Sequence, residues 1–385
     1  MKRALGFCLV LVLLAYGVPQ ALAQSNGDSS RLIVVFKPGV GADEQMRIVR
    51  SHGAAPIKPL SLVNATVVTA SDSSTRARLL SDATVVRVDD DTIMTASDRP
   101  EISSQGKPQP NQPTQQLPWG IDRIDADRAW ASTTGAGIKV GIVDTGVDLD
   151  HADLKANIKG GINTINPRKS YNDDNGHGTH VAGTVAAISN TIGVVGGAPA
   201  ANLYGIKVLG ASGSGYLSDV IEGLDWAIQN HMQVINMSLG SASDNSSLHD
   251  AVSRVYQAGI IQVVAAGNSS GPVGYPAAYS EVIAVSAIDI NGGFASFSNF
   301  GAEVDLTAPG VGIYSTYNNG LYATMSGTSM ATPHVTSVAA LVLAAKGTMT
   351  PDQMLAHLKL TASSLAGLTT PQQGAGMVNA YAAVQ

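Results

Sequence analysis

Cysteine is almost missing from this chain: among 385 residues there is one, Cys8. It falls in an apolar run, "ALGFCLVLVLLAYGV", which follows Lys2 and Arg3 and leads to "ALA" at Ala21–Ala23 before Gln24. A basic start, a short apolar stretch and small residues at the end have the form of an export signal over residues 1–23. The run is short for a membrane span. On this reading the chain is secreted, no membrane partner is expected, and the exported part holds no cysteine, which excludes disulfides.

A basic surplus is missing too. The 23 Lys and Arg are outnumbered by 29 Asp and Glu, for a net charge of -6, and the basic residues are scattered. That argues against nucleic acid as a partner. No repeat of solenoid length occurs. What the chain does have is length and 44% hydrophobic residues, enough for two domains with buried cores.

The two are expected on either side of a polar stretch. Residues 31–96 alternate strand-like and helix-like segments: "RLIVVFKPG", "ADEQMRIVRSHG", "PLSLVNATVVTAS", "STRARLLSDA" and "VVRVDDDTIMTA" as a last strand. The order β-α-β-β-α-β suggests a small α+β, ferredoxin-like unit. Residues 97–114, "SDRPEISSQGKPQPNQPT", read as a solvated linker open to cleavage. From residue 115 to 385, apolar strands ("IKVGIVDTG", "ANLYGIKVLG", "QVINMSLG", "IIQVVAAGN", "EVIAVSAID") alternate with helical segments. This pattern calls for an α/β fold, a mostly parallel sheet covered on both faces. Ligands of such sheets sit at the carboxyl ends of the strands, where Asp144, Ser238 and Asn268 fall.

Each candidate residue has two readings when taken alone. Asp144 in "GIVDTGVD" orients a histidine or caps a turn. Its D-T-G resembles the aspartic-protease motif, but no second D-T-G or D-S-G supplies the partner carboxylate. His177 and His180 in "NGHGTHVAGT" lack the i, i+4 spacing and intervening Glu of a zinc helix. The glycines instead present His177 at a tight turn, where an imidazole suits proton transfer, while His180 reads as a packed residue one turn into a helix. Asn268 in "AAGN" donates to an oxyanion or turns the chain. "GNSSG" at residues 267–271 fits a nucleophile elbow at Ser269, but "GPVGYPAAY" follows it where a helix is required. Ser329 in "GTSMATPH" does precede a helix, with Pro333 expected in its first turn and Gly347 as the stop. It is a nucleophile beside free backbone N–H groups or a simple cap.

As a set, "DTGVD", "HGTHVAGT", "AAGN" and "GTSMATPH" resemble, in order, the motif blocks of the subtilisin-like serine proteases, whose Asp, His, Ser chain order they share. The likeness extends from about Gln115 to "GAGMVNAYAAV". It implies a three-layer subtilisin-like fold with helices on both faces of a mostly parallel sheet, and a serine endopeptidase acting on proteins or peptides. Ser329 would be the nucleophile, His177 the general base, Asp144 its orienting carboxylate, and Asn268 with the Ser329 N–H the oxyanion site. Ser212, Gly213, Ser214 and Gly215 on one side and Ser238, Leu239 and Gly240 on the other would flank an extended substrate. Gly267 and Gly274 would line the primary pocket, with room for a large uncharged residue. The resemblance further implies structural Ca²⁺ held by Gln115, Asp153, Asn190 and the carbonyls of Ile188, Ile192 and Val194. It makes residues 31–96 a prosegment, an intramolecular inhibitor cut off near Met94–Ser97, and the enzyme a monomer. Two positions depart from the better-known subtilisins: the loop from Asn268 to Tyr275 is shorter, and Leu217 stands where many have tyrosine.

Overall fold

The computed structural model describes residues 31–96 and 112–385. The expected signal at 1–23, most of the linker and Ser97 lie outside the described residues.

The N-terminal unit follows β1 (Arg31–Phe36), α1 (Ala42–Ser51), β2 (Ala54–Leu60), β3 (Ala65–Ala70), α2 (Thr75–Leu80) and β4 (Val85–Asp90). Its four strands stand in the order β2-β3-β1-β4, all antiparallel. Strand alternation sends Leu32, Val34, Phe36 and Val68 to one side, where they pack with Ile48, Val49 and Leu79. This is the ferredoxin-like arrangement read from the sequence.

"VVRVDDDTIMTA" is not one strand. The chain leaves the small sheet at Asp90 and resumes as β5 (Ile93–Ala96) in a different sheet. The break has a local cause. Asp91 turns its buried carboxylate onto the second unit, accepting from Ser218 N (2.8 Å), Ser218 Oγ (2.9 Å) and Arg31 Nε (2.9 Å). The neighbouring Thr92 carbonyl accepts from Leu217 N at 2.8 Å.

The second unit starts with two short helices, α3 (Trp119–Arg123) and α4 (Ala126–Ala129), and then alternates. β6 (Lys139–Asp144), β7 (Ile158–Asn163), α5 (His177–Ala186), β8 (Asn202–Lys207), β9 (Ser214–Tyr216), α6 (Leu217–Gln229), β10 (Val234–Met237), β11 (Leu239–Gly240), α7 (Ser246–Gln257) and β12 (Ile261–Ala265) follow. β13 (Ile283–Ile288), β14 (Leu306–Pro309), the hairpin β15 (Ile313–Tyr317) and β16 (Leu321–Met325), and α8 (Thr328–Lys346) complete the frame. Seven strands form one parallel sheet in the order β14-β13-β12-β10-β6-β8-β7.

Two cores flank that sheet. Val140, Ile142, Val234 and Val263 pack with Val181 and Val185 of α5 and Val335, Val338 and Leu341 of α8. Ile206, Ile235, Met237 and Val264 face the other way, toward Val220 and Leu224 of α6 and Val252 and Val255 of α7. Three layers result, as expected. β6 lies where the strand order reverses, so a crevice opens at its carboxyl end.

The two units meet in that crevice. β5 inserts as the middle strand of a three-stranded sheet, antiparallel to β9 on one side and β11 on the other. Thr95 stands opposite Ser214 and Gly240, and Ala96 opposite Leu239, with Ala96 N donating to Gly213 O at 2.9 Å. Met94 is buried in the core beneath α6 and α7. Lys58 pairs with Asp219 (2.5 Å) and Glu222 (2.6 Å) of α6, and Ser247 Oγ of α7 donates to Asp89 at 2.6 Å.

Candidate active site

Asp144 is the last residue of β6, fully buried, with its Oδ1 accepting from the next backbone N–H, Thr145 N, at 2.7 Å. His177 opens α5. The turn before it needs φ +114° at Gly176, a left-handed value suited to glycine, and a Cβ there would collide with the Tyr317 ring. The helix therefore begins at His177 itself. His177 Nδ1 donates to Asp144 Oδ1 at 2.7 Å, with the two side chains 3% and 0% exposed. The bond orients the ring with Nδ1 toward the carboxylate.

Ser329 is the second residue of α8, so its N–H has no partner within the helix. Its Oγ donates to Ser238 O at 3.2 Å, and Ser238 Oγ returns a bond to Ser329 O at 2.9 Å. Pro333 lies in the second turn of α8, not the first. Lacking an N–H, it cannot bond the carbonyl four residues back, and that carbonyl belongs to Ser329. The Ser238 hydroxyl supplies the missing donor. Asn236 Nδ2 holds Ser238 Oγ at 2.9 Å, and Thr336 Oγ1 holds Asn236 Oδ1 at 2.9 Å.

Asn268 follows β12. Its Oδ1 accepts from Thr328 N and Thr328 Oγ1, each at 2.9 Å, so Nδ2 is the end of the amide that serves as donor beside Ser329. The same Thr328 hydroxyl accepts from Gly267 N at 3.1 Å, tying the loop to the helix start.

Two cavities flank β5. One, of about 470 Å³, is lined by Gly240, Ala266, Gly267, Asn268, Pro272, Gly274 and Asn299, with no charged side chain among the described residues. A Cβ on Gly274 would press on Ser241 O at 3.0 Å. The other, of about 390 Å³, lies among Asn175, His177, Ser212, Gly213, Ser214, Tyr317 and Met325. Ser212, Gly213 and Ser214 thus line one cavity and Gly240 the other, on opposite sides of β5, while Ser238 and Leu239 are buried beneath. Asn175, Asn299, Tyr317 and Met325 were not singled out from the sequence. Asn175 is two residues from His177 and could have been found there, whereas Tyr317 and Met325 stand on a hairpin that no motif marks.

Other candidates are placed elsewhere. Ser269 sits exposed on a bend with no helix after it. His180 is buried, with Nε2 donating to Ile313 O (3.0 Å) and Ala323 O (3.2 Å), and burial holds it down to about 3. His334 donates from Nδ1 to Met330 O at 2.8 Å and packs on Gly120.

The expected metal ligands converge at the loop after α5. Gln115 Oε1 accepts from Asn190 N (2.6 Å), Asn190 Nδ2 donates to Asp153 Oδ1 (2.7 Å), and Val194 N donates to Asp153 Oδ2 (2.8 Å). Thr114 and Gln116 bridge Ile192 and Val194. Asp153 is fully buried, its carboxyl pushed up by that burial, and it has no ion-pair partner among the described residues. The carbonyls of Ile188, Ile192 and Val194 accept no hydrogen bond from the described residues.

The subtilase pattern matches residues 135–381, more than half of the chain. The chain belongs to the subtilase family. It is 49% identical over 273 residues to "Subtilisin Savinase" of Lederbergia lenta, covering 70% of this chain and 100% of that protein. Against "Alkaline protease" of Shouchella clausii it is 49% identical over 273 residues, 70% of each. Against "Subtilisin DY" of Bacillus licheniformis it is 48% identical over 277 residues, 70% of this chain and 100% of that one. As a subtilase the protein is a serine endopeptidase.

Proposed function

We propose that this subtilase is secreted and cuts peptide bonds through an acyl-enzyme on Ser329, after removing its own N-terminal unit. Ser329 Oγ attacks the scissile carbonyl while His177 takes its proton and later delivers it to the leaving amine. Asp144 orients the ring and stabilises its charged form. Asn268 Nδ2 and the Ser329 N–H face the developing oxyanion. The bound peptide runs as a middle strand between Ser212–Gly215 and Ser238–Gly240, and its side chain at the cut enters the uncharged cavity over Gly274.

The observation that carries this reading is β5. The chain's own residues 93–96 already lie antiparallel between β9 and β11, as a substrate strand would. Residues 31–96 act as a prosegment and inhibitor, and cleavage falls near Met94–Ser97. Gln115, Asp153, Asn190 and the carbonyls of Ile188, Ile192 and Val194 would hold a structural Ca²⁺: one buried, unpaired carboxylate with unbonded carbonyls is an all-oxygen set suited to that ion. The form of residues 1–23 favours an extracellular setting.

Two variants test the nucleophile. In the full chain, Ser329→Ala is expected to stay uncut and to leave a chromogenic peptide intact, while Ser269→Ala matures and turns over like the parent. A Ser329→Ala chain that matures would refute the assignment.

A further inference from the structure

A second carboxylate lies close to Asp144 and His177 and has no part in the reaction above. Asp173 is 5% exposed and accepts five hydrogen bonds: at Oδ1 from Thr145 Oγ1 (2.9 Å), Asn175 N (2.9 Å) and Gly176 N (3.0 Å), and at Oδ2 from Thr179 N (3.0 Å) and Thr179 Oγ1 (2.6 Å). Four of these donors belong to the turn and first residues of α5, so they fix the backbone on which His177 stands. The fifth comes from the other side. Thr145 directly follows Asp144, on the end of β6.

Thr145 is tied to Asp144 on its own side by one bond and to the α5 side by two. Its N–H donates to Asp144 Oδ1 at 2.7 Å, its hydroxyl donates to Asp173, and the same hydroxyl accepts from Gly178 N at 2.9 Å. A second link runs from Asp148 N to Thr179 Oγ1 at 3.0 Å. Gly178 lies so close to β6 that an added Cβ would strike Gly146 O and approach Asp144. Asp144 itself has little else to hold it: its Oδ2 is buried with no hydrogen-bond partner among the described residues. Its contact with His177 joins two separate elements, and hydrogen bonds weaken steeply with small displacements.

We propose that Asp173 is a positioning residue, which through the Thr145 hydroxyl fixes the end of β6 against the start of α5 and so sets the approach of Asp144 to His177. This rests on the roles given above to Asp144, His177 and Ser329. A carboxylate that merely capped α5 would need Asn175, Gly176 and Thr179 but not Thr145. Replacing Asp173 by an amide would set an NH₂ against donors that now point at oxygen, and burial makes that mismatch costly.

Thr145 therefore separates the two roles. Thr145→Val, Thr145→Ser and Asp173→Asn are made in the full chain, allowed to mature, and normalised to titrated active sites. Thr145→Val is expected to lower kcat roughly ten-fold or more with KM within about two-fold, since the lost interaction acts in the transition state. It should also move the acid limb of the kcat profile to lower pH, because a loosened Asp144 favours the imidazolium less. Thr145→Ser, which keeps the hydroxyl, should recover kcat to within about three-fold of the parent. Asp173→Asn should lose at least as much as Thr145→Val. If either variant fails to fold, Thr145→Ala against Thr145→Ser decides by the same readouts. Parent-like kcat and acid limb in the folded variant lacking the hydroxyl would overturn the proposal. Ser329→Ala run alongside keeps the failures apart: an active Ser329→Ala chain overturns the catalytic reading, whereas an inert one beside parent-like Thr145→Val overturns only the role of Asp173.

Discussion

At the scale of residues, the site is a set of short side chains each held by a neighbour. Asn268 shows how tightly: Thr328 occupies both acceptor positions of its Oδ1, leaving the amide one orientation relative to α8. A donor fixed in advance costs no reorganisation when charge develops. Asn268→Ala is therefore expected to lower kcat roughly 100- to 1000-fold with little change in KM, measured on a peptide substrate with active sites titrated. Loss confined to KM would place Asn268 in ground-state binding instead. The residues themselves were legible because each of Asp144, His177, Asn268 and Ser329 sits among glycines or at a helix start that few other roles require. Their supports were not. That Ser238 replaces the hydrogen bond Pro333 cannot make depends on β10 and α8 meeting in space, the bonded serines being 91 positions apart in the chain.

At the scale of elements, α5 and α8 each bury a histidine that the proposed reaction does not use. Burial holds His334 down to about 4, from an ordinary value near 6.5, and His180 to about 3, with His177 and His334 adding to the depression of the latter. Below pH 6.5 the unfolded chain takes up a proton at such a position that the folded chain refuses until its own lower value. The contribution of His334 is therefore complete above about 6.5 and is lost as pH falls toward 4. Unfolding by urea of the Ser329→Ala protein, with and without His334→Asn, reads this by difference. The stability gap between the two is expected to shrink by about 1.4 kcal/mol per pH unit below 6.5; a gap constant with pH would contradict it. Elements also mark where the sequence pattern stopped being informative. β7 went unread because Gly160 and Gly161 interrupt its apolar run, yet Gly161 is there so that β7 can lie against Gly205 O. "VVRVDDDTIMTA" looked like one strand because nothing local reveals that Asp91 caps a helix of the other unit.

At the scale of the molecule, the second unit is held without disulfides, and residues 114 and 116 bridge the loop after α5 that carries Asn190, whose side chain reaches Asp153 on the segment between β6 and β7. A cation bound only by the folded state would stabilise it by mass action. Chelation in a well-buffered solution is expected to lower the melting temperature of the matured enzyme, and Asp153→Asn should abolish the calcium dependence. An unchanged melt would refute the site. The N-terminal unit reaches the crevice through β5, and under the proposed function its removal is the first cut that Ser329 makes. The most direct measurement is covalent: the matured enzyme is treated with a fluorophosphonate, digested and mapped by mass spectrometry. The adduct is expected on Ser329 alone; an adduct on Ser269 with Ser329 unlabelled would contradict the mechanism.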